Sequence, residues 1–220
     1  MSMEHFYVLE GLKAHIEMNK VLESMDCKED NPAYEEFVGE YQEIYDQVLA
    51  CVEPVGIIGF GQLTSPIASE KYPEGTQVAL AVLSIGKQCE NYASAAFQDG
   101  NYVRGMLCDG MADYALFSLE DRMLEQLKSA CCEHQVGVLK RLEAPQDISM
   151  EVQKYAWDYL ELHNRFGINI SSGYMFDPIK TYCQVFVLAD DMSTFRAEHD
   201  CSQCANTACR HRQILSIPTL

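Results

Sequence analysis

The sequence predicts an α+β fold: a twisted antiparallel or mixed sheet flanked by helices, with an N-terminal helical arm and a metal-binding C-terminal tail. Three observations carry this expectation. Short apolar runs bounded by Gly and Pro read as buried strands, while longer stretches repeat their apolar residues at helical three- and four-residue steps. Strands and helices are mixed without one-to-one alternation, which favours helices packed on an antiparallel or mixed sheet over a doubly wound one. Near the end, three cysteines fall within nine positions, a spacing that suits metal ligation.

In chain order, a weak helical pattern covers residues 9–25, and the Asp-, Asn- and Pro-containing stretch 26–32 breaks it. From Tyr34, the residues Phe37, Val38, Tyr41, Ile44, Tyr45, Val48, Leu49 and Val52 mark an amphipathic helix that ends before Pro54. Residues 55–60 and 77–85 are strands, joined by the loop 61–75. Gly59-Phe60-Gly61 lacks the third glycine and following helix of a dinucleotide fingerprint, so it reads as a turn. A helix is expected over 88–97, and after the turn at Asp99-Gly100 one long helix over 102–134. Val103, Met106, Leu107, Met111, Tyr114 and Leu119 are among the residues on its apolar side. Residues 136–142 form a strand and 151–164 a helix centred on Trp157 and Leu160, which Gly167 ends. Residues 168–170 and 184–188 complete the strands. The domain reading is an acidic helical arm over 1–54 packed on the main domain, the α+β domain itself over 55–195, and a cysteine-motif tail over 196–220.

Composition excludes several partners. Sixteen Lys and Arg against 33 Asp and Glu give a formal charge of -17, which repels phosphate backbones and anionic membrane surfaces. Neither nucleic acid nor a membrane is therefore an expected partner. The acidity concentrates in residues 1–54, which hold 13 acids and three Lys. No stretch approaches the roughly 20 apolar residues that span a bilayer, and the first dozen residues carry no signal-peptide pattern. A cytoplasmic, reducing location is expected, where ten cysteines serve as free thiols or ligands.

The cluster reads His199-Asp-Cys201-Ser-Gln-Cys204-Ala-Asn-Thr-Ala-Cys209-Arg-His211. Two cysteines separated by two residues can aim both sulfurs at one ion from a tight turn, and a third completes the face. Zinc would take Cys201, Cys204 and Cys209 with His199 or His211 as fourth ligand. An iron-sulfur cluster, of the 4Fe-4S kind, would take the same thiolates and a fourth ligand such as Cys183, or leave one iron open. Spacing alone does not choose between them. Cys51 and Cys108 sit at core positions of helices and read as small buried hydrophobes.

From Gln153 onward the chain resembles the C-terminal half of the activation (reactivation) domain of cobalamin-dependent methionine synthase. The matching features are the helix with Trp157, the element Gly167-Ile-Asn-Ile170-Ser171, the apolar loop Tyr174-Met-Phe-Asp-Pro178, and the strand opening Lys180-Thr-Tyr-Cys-Gln-Val-Phe. Stand-alone bacterial members are more similar still, sharing Pro178-Ile-Lys180 and a terminal Cys-x2-Cys-x4-Cys-x2-Arg, here Cys201 to Arg212. The stretch Leu107-Cys-Asp109-Gly-Met-Ala112 extends the resemblance to about residues 33–212.

The resemblance implies an accessory role in the reductive reactivation of a corrinoid-dependent methyltransferase, with a corrinoid protein and its docked cobalamin as partner. It also implies S-adenosylmethionine as a ligand. In the family, Arg followed shortly by Pro-Gly-Tyr holds that molecule, the Arg gripping its carboxylate. The matching segment here is Arg141-Leu-Glu-Ala-Pro145-Gln-Asp147, which keeps Arg141 and Pro145 but not Gly and Tyr; Tyr174 belongs to the loop expected to line the ligand face. Two other functions are carried beside this one. A zinc-stapled binding module without redox activity would be colourless, and a freestanding methyltransferase would need a general base that the Arg141 segment lacks.

Overall fold

The computed structural model describes residues 6–65, 67–199 and 209. Its elements run β1 (Phe6–Val8), α1 (Met18–Ser24), α2 (Tyr34–Ala50), β2 (Val55–Gln62), β3 (Gln77–Ser84), α3 (Gln88–Gln98), α4 (Tyr102–Phe117), α5 (Glu120–His134), β4 (Gly137–Leu142), α6 (Glu151–Tyr159), α7 (Leu162–Phe166), β5 (Asn169–Ile170), β6 (Phe176–Asp177) and β7 (Thr181–Ala189). They form two compact units. Among the described residues, 6–12, 55–65, 67–84 and 119–199 make unit 1, and 13–54, 85–118 and 209 make unit 2.

Unit 1 is built on a five-stranded antiparallel sheet in the order β1-β2-β3-β7-β4. β3, in the middle, reads Gln-Val-Ala-Leu-Ala-Val-Leu-Ser, and all but its first residue are buried, as a strand covered on both faces requires. One face of the sheet, with Ile57, Leu80, Val82, Val185 and Val187, packs with Ala156 of α6, Leu160 just after it and Leu162 of α7 into the core. Tyr182, Gln184 and Phe186 of β7 alternate onto the opposite face.

The glycines of β2 correct the expected turn at Gly59-Phe60-Gly61. These residues lie inside the strand, paired with Leu80, Ala79 and Val78. A Cβ on Gly59 would come within 2.5 Å of Leu160 Cδ2, and one on Gly61 within 3.2 Å of the Tyr159 ring. Tyr155 uses this closeness to donate its hydroxyl to the Gln62 carbonyl at 2.8 Å, and Tyr159 donates to that of Phe60. Glycine here marks close approach by side chains, not a reversal of the chain.

Two expected helices are each divided. The long helix over 102–134 is α4 and α5, which belong to different units. At the break the Ser118 hydroxyl donates to the Ala115 carbonyl at 2.7 Å and accepts the His15 amide at 3.0 Å, satisfying backbone groups outside a helical ladder. Glu120 and Asp121 then give α5 an acidic first turn that suits a helix start. The helix over 151–164 divides at Glu161, whose φ is +52°, and α7 ends at Gly167 with φ +69° as expected. Of the helical stretch 9–25 only α1 is helical, and the three-residue β1 before it pairs with β2.

Unit 2 packs α1, α2, α3 and α4 around Val21, Leu22, Tyr41, Ile44, Val48, Cys89, Leu107, Cys108 and Met111. Cys108 is fully buried, as its helical position implied, and Cys51 partly so. Met106, read as part of the apolar side, is 46% exposed because α4 turns Leu107, Cys108 and Met111 inward instead. Among the described residues no helix is long and apolar enough to cross a membrane.

Candidate functional site

In unit 1, α5 crosses the sheet face opposite the α6–α7 core. Its first residue, Glu120, pairs with Arg141 of β4 and accepts from Gln184 Nε2 of β7 at 3.2 Å. At its other end Glu133 accepts the Tyr7 hydroxyl of β1 at 2.9 Å, and His134 stacks on Phe60 of β2 with ring centroids 4.1 Å apart. Fifteen helical residues span about 22 Å, close to the roughly 19 Å from the first strand of such a sheet to the fifth. The helix thus brings a carboxylate to Arg141 from 21 residues away.

Arg141 is the centre of this polar cluster. Opposite Phe186 in the ladder, it shares the β7 face that carries Gln184 and Tyr182. Its side chain is only 12% exposed, with Nη1 on Glu120 and Nε 2.6 Å from Glu143 Oε1. Glu143 in turn lies 2.9 Å from His199 Nδ1, so one carboxylate bridges the guanidinium and the imidazole. Burial raises the Tyr182 hydroxyl well above its usual pKa; Glu120 adds to the shift and Arg141 opposes it. Among the described residues the buried Tyr182 hydroxyl, Gln184 Oε1 and Arg141 Nε have no hydrogen-bond partner, so the contact of Arg141 Nε with Glu143 is an ion pair and not a hydrogen bond. Together these groups make a site in which one guanidinium is balanced by two carboxylates, a setting suited to a neutral or cationic polar group. A ligand carboxylate would have to displace Glu120 or Glu143 from the arginine.

The other expected binding residues lie on neighbouring loops of the same unit. Pro145 is exposed and follows a cis peptide bond. Two residues on, Asp147 accepts from Lys140 Nζ at 2.7 Å and from the Glu143 amide at 3.1 Å. Burial alone would raise the Asp147 carboxyl, but Lys140 and the amide hold it below the usual value, and Asp147 in turn raises Lys140. The signs give a pH window. A depressed carboxyl contributes stability above its unfolded pKa near 4 and loses it as pH falls through the folded value; a raised lysine loses its share above about 10.4. Between pH 6 and 2, the urea midpoint of wild type should therefore fall further than that of Asp147→Asn, and parallel curves would remove this pair from the acid response.

Tyr174 stands at the tip between β5 and β6 with φ +63°, a left-handed conformation that costs an aromatic residue about 1 kcal/mol. Its hydroxyl donates to Glu151 Oε1 at 3.2 Å, and that carboxylate raises its pKa. Met175 beside it is 56% exposed.

The expected cysteine site falls mostly outside the described residues: Cys201, Cys204 and His211 are among those not described, while Cys209 is a free, partly buried thiol of unit 2. His199 is engaged with Glu143 as above. Cys183 is on the α6–α7 face of β7 beside the apolar core, where burial pushes its thiol up to about 12. Among the described residues no group of three or more His, Cys, Asp and Glu side chains is placed to hold a metal ion. Sequence reasoning missed Glu120, Gln184 and Tyr182. Tyr182 and Gln184 offered one signal, two polar groups at alternate positions of a largely apolar strand, and Glu120 on α5 offered none.

The segment leading to the motif is fixed on the outer edge of β4. Val138 donates its amide to Thr194 O at 2.8 Å, Arg196 donates to Val138 O at 2.9 Å, and Ala197 is fully buried. Gly137 makes this contact possible, since a Cβ there would sit 2.2 Å from Asp191 O and 2.5 Å from Thr194 O.

This arrangement of five antiparallel strands and helices is the fold of a known methionine synthase domain. A crystal structure of the MetH reactivation domain bound to AdoHcy matches with a TM-score of 0.59 over 86% of this chain and 78% of that one, at 10% sequence identity. No protein-family model matches the chain, and no curated protein matches it in sequence.

Proposed function

We propose that the chain is an accessory protein for the reductive reactivation of a corrinoid-dependent methyltransferase, its partner being the cobalamin-bearing protein. The observation that carries this reading is the likeness of its fold to the reactivation domain over 86% of the chain. The cysteine motif supports a redox part in the work, since three thiolates at this spacing form a donor set for a 4Fe-4S cluster. Such a cluster, recharged by a low-potential electron-transfer protein, would supply the one electron that converts cob(II)alamin to cob(I)alamin. The chain's own task is then to hold that donor and the corrinoid together. Cys201, Cys204 and Cys209 act as ligands.

The neighbour's bound AdoHcy favours an adenosyl ligand as part of the same function. In this chain it would meet Arg141, Pro145 and Tyr174, and the two carboxylates on Arg141 favour the cationic sulfonium of S-adenosylmethionine over its carboxylate.

Metal and acid-labile sulfide analysis with a visible spectrum, on protein purified without air, tests the redox part. Iron with sulfide and an absorption that bleaches on reduction supports the reading. Stoichiometric zinc without colour replaces it with a zinc-stapled binding module, and absence of any metal ends the ligand assignment of the three cysteines.

A further inference from the structure

We propose that the α3–α4 surface of unit 2 docks a basic amphipathic helix from another protein. Three large apolar side chains adjoin there: Phe97 is 39% exposed, Tyr102 66% and Met106 46%. Phe97 and Tyr102 have ring centroids 6.4 Å apart, and Met106 follows Tyr102 by one helical turn. Scattered exposed apolar residues are ordinary, but a contiguous strip of Phe, Tyr and Met has the composition of an interface core. The strip is also pre-shaped. A Cβ on Gly105 would lie 2.8 Å from the Phe97 ring, so the ring rests against the bare backbone of α4 and loses little freedom on binding.

Charge identifies the occupant. α2, α3 and α4 hold a single basic residue, Arg104, and it is clamped by Glu40 and Glu43 of α2. Those bonds push its pKa further up and leave its charge already matched. Exposed Glu35, Glu36 and Asp46 line α2, and exposed Asp99 adjoins the strip. A second copy of this chain, with a formal charge of -17, would set like charges face to face, and an anionic membrane surface would be repelled in the same way. A helix with large apolar residues at three- and four-residue steps, flanked by Lys or Arg, matches both the strip and its rim. This inference is independent of the corrinoid reading, because none of its residues belongs to the Arg141 cluster or the cysteine motif.

The test is fluorescence anisotropy at about 0.15 M salt with the full chain and two labelled synthetic helices of about 18 residues. Both carry Leu at positions i, i+3, i+4 and i+7; one fills the remaining positions with Lys, the other with Glu. The Lys helix should bind and the Glu helix should not, and the double variant Tyr102→Ala/Met106→Ala should weaken binding at least tenfold. Leu139→Ser, which removes an exposed apolar residue of unit 1, should leave it unchanged. Three results would overturn the proposal: no binding of the Lys helix, equal binding by the double variant, or a wild-type dimer in sedimentation that the double variant dissolves.

Discussion

Replacing Cys201 and Cys204 together with alanine is expected to abolish both the metal content of the chain and its ability to support reduction of cob(II)alamin on a corrinoid partner. Two of three thiolates are removed, and a cluster or a zinc ion does not persist on one cysteine. Fold should survive, because the five strands of unit 1 and the helices packed on them are all built from residues 6–189. The paired measurement is circular dichroism against metal analysis, with cob(II)alamin reduction followed by its visible spectrum. Unchanged reduction in the folded, metal-free variant would show that electrons reach the corrinoid by another route and would end the redox reading. Loss of metal with no iron in the wild type would leave the tail as a structural staple.

The largest effect on stability is expected from Gly137→Ala. The added Cβ would meet two backbone carbonyl oxygens, at 2.2 and 2.5 Å, and neither can rotate away as a side chain does. The run 191–197 must lift from β4, breaking the Val138–Thr194 and Arg196–Val138 bonds and uncovering Ala197. A cost of about 3 kcal/mol follows from overpacking of this kind. For a chain of this size it lowers Tm by roughly 10 °C. Gly39→Ala is the opposite control: Gly39 lies within α2 with nothing within 4 Å of the added atom, so the change should stabilise by up to about 1 kcal/mol. Equal melting of Gly137→Ala and wild type would mean that the segment does not hold to β4 in solution.

What the sequence reveals depends on whether the signal is local. α2, β2, β3 and α3 are legible because each carries its own period or a continuous apolar run between turn residues, and the structure places them within a few residues of the expected bounds. The division of α4 from α5 is not legible. Leu116, Leu119 and Met123 keep a helical spacing across it, and the break is made by Ser118 bonding back to Ala115 and on to His15, more than a hundred residues away. β1 is too short to show a period, and its strand character exists only against β2. The same division runs through the candidate site. Arg141 and Pro145 are recognisable as a family segment, and Glu143 stands beside them in sequence. Glu120 reaches Arg141 only because α5 crosses the sheet, and Gln184 reaches Glu120 only because β7 pairs with β4. Without those partners Arg141 reads as a free guanidinium waiting for a carboxylate; with them it already holds two.

The way the chain passes back and forth between its two units also governs its birth. Synthesis releases roughly 5–20 residues per second, N-terminus first. β1 leaves the ribosome several seconds before β2, and β3 waits about a hundred residues for β7, its other neighbour. α2 likewise appears long before α3 and α4, with which it shares a core. Unit 1 cannot close until most of the polypeptide is out, and in that interval the almost wholly apolar β3 presents one unpaired edge to every other nascent chain. Yield in a heterologous host should therefore track chaperone supply and growth temperature more closely than the equilibrium stability of the finished protein.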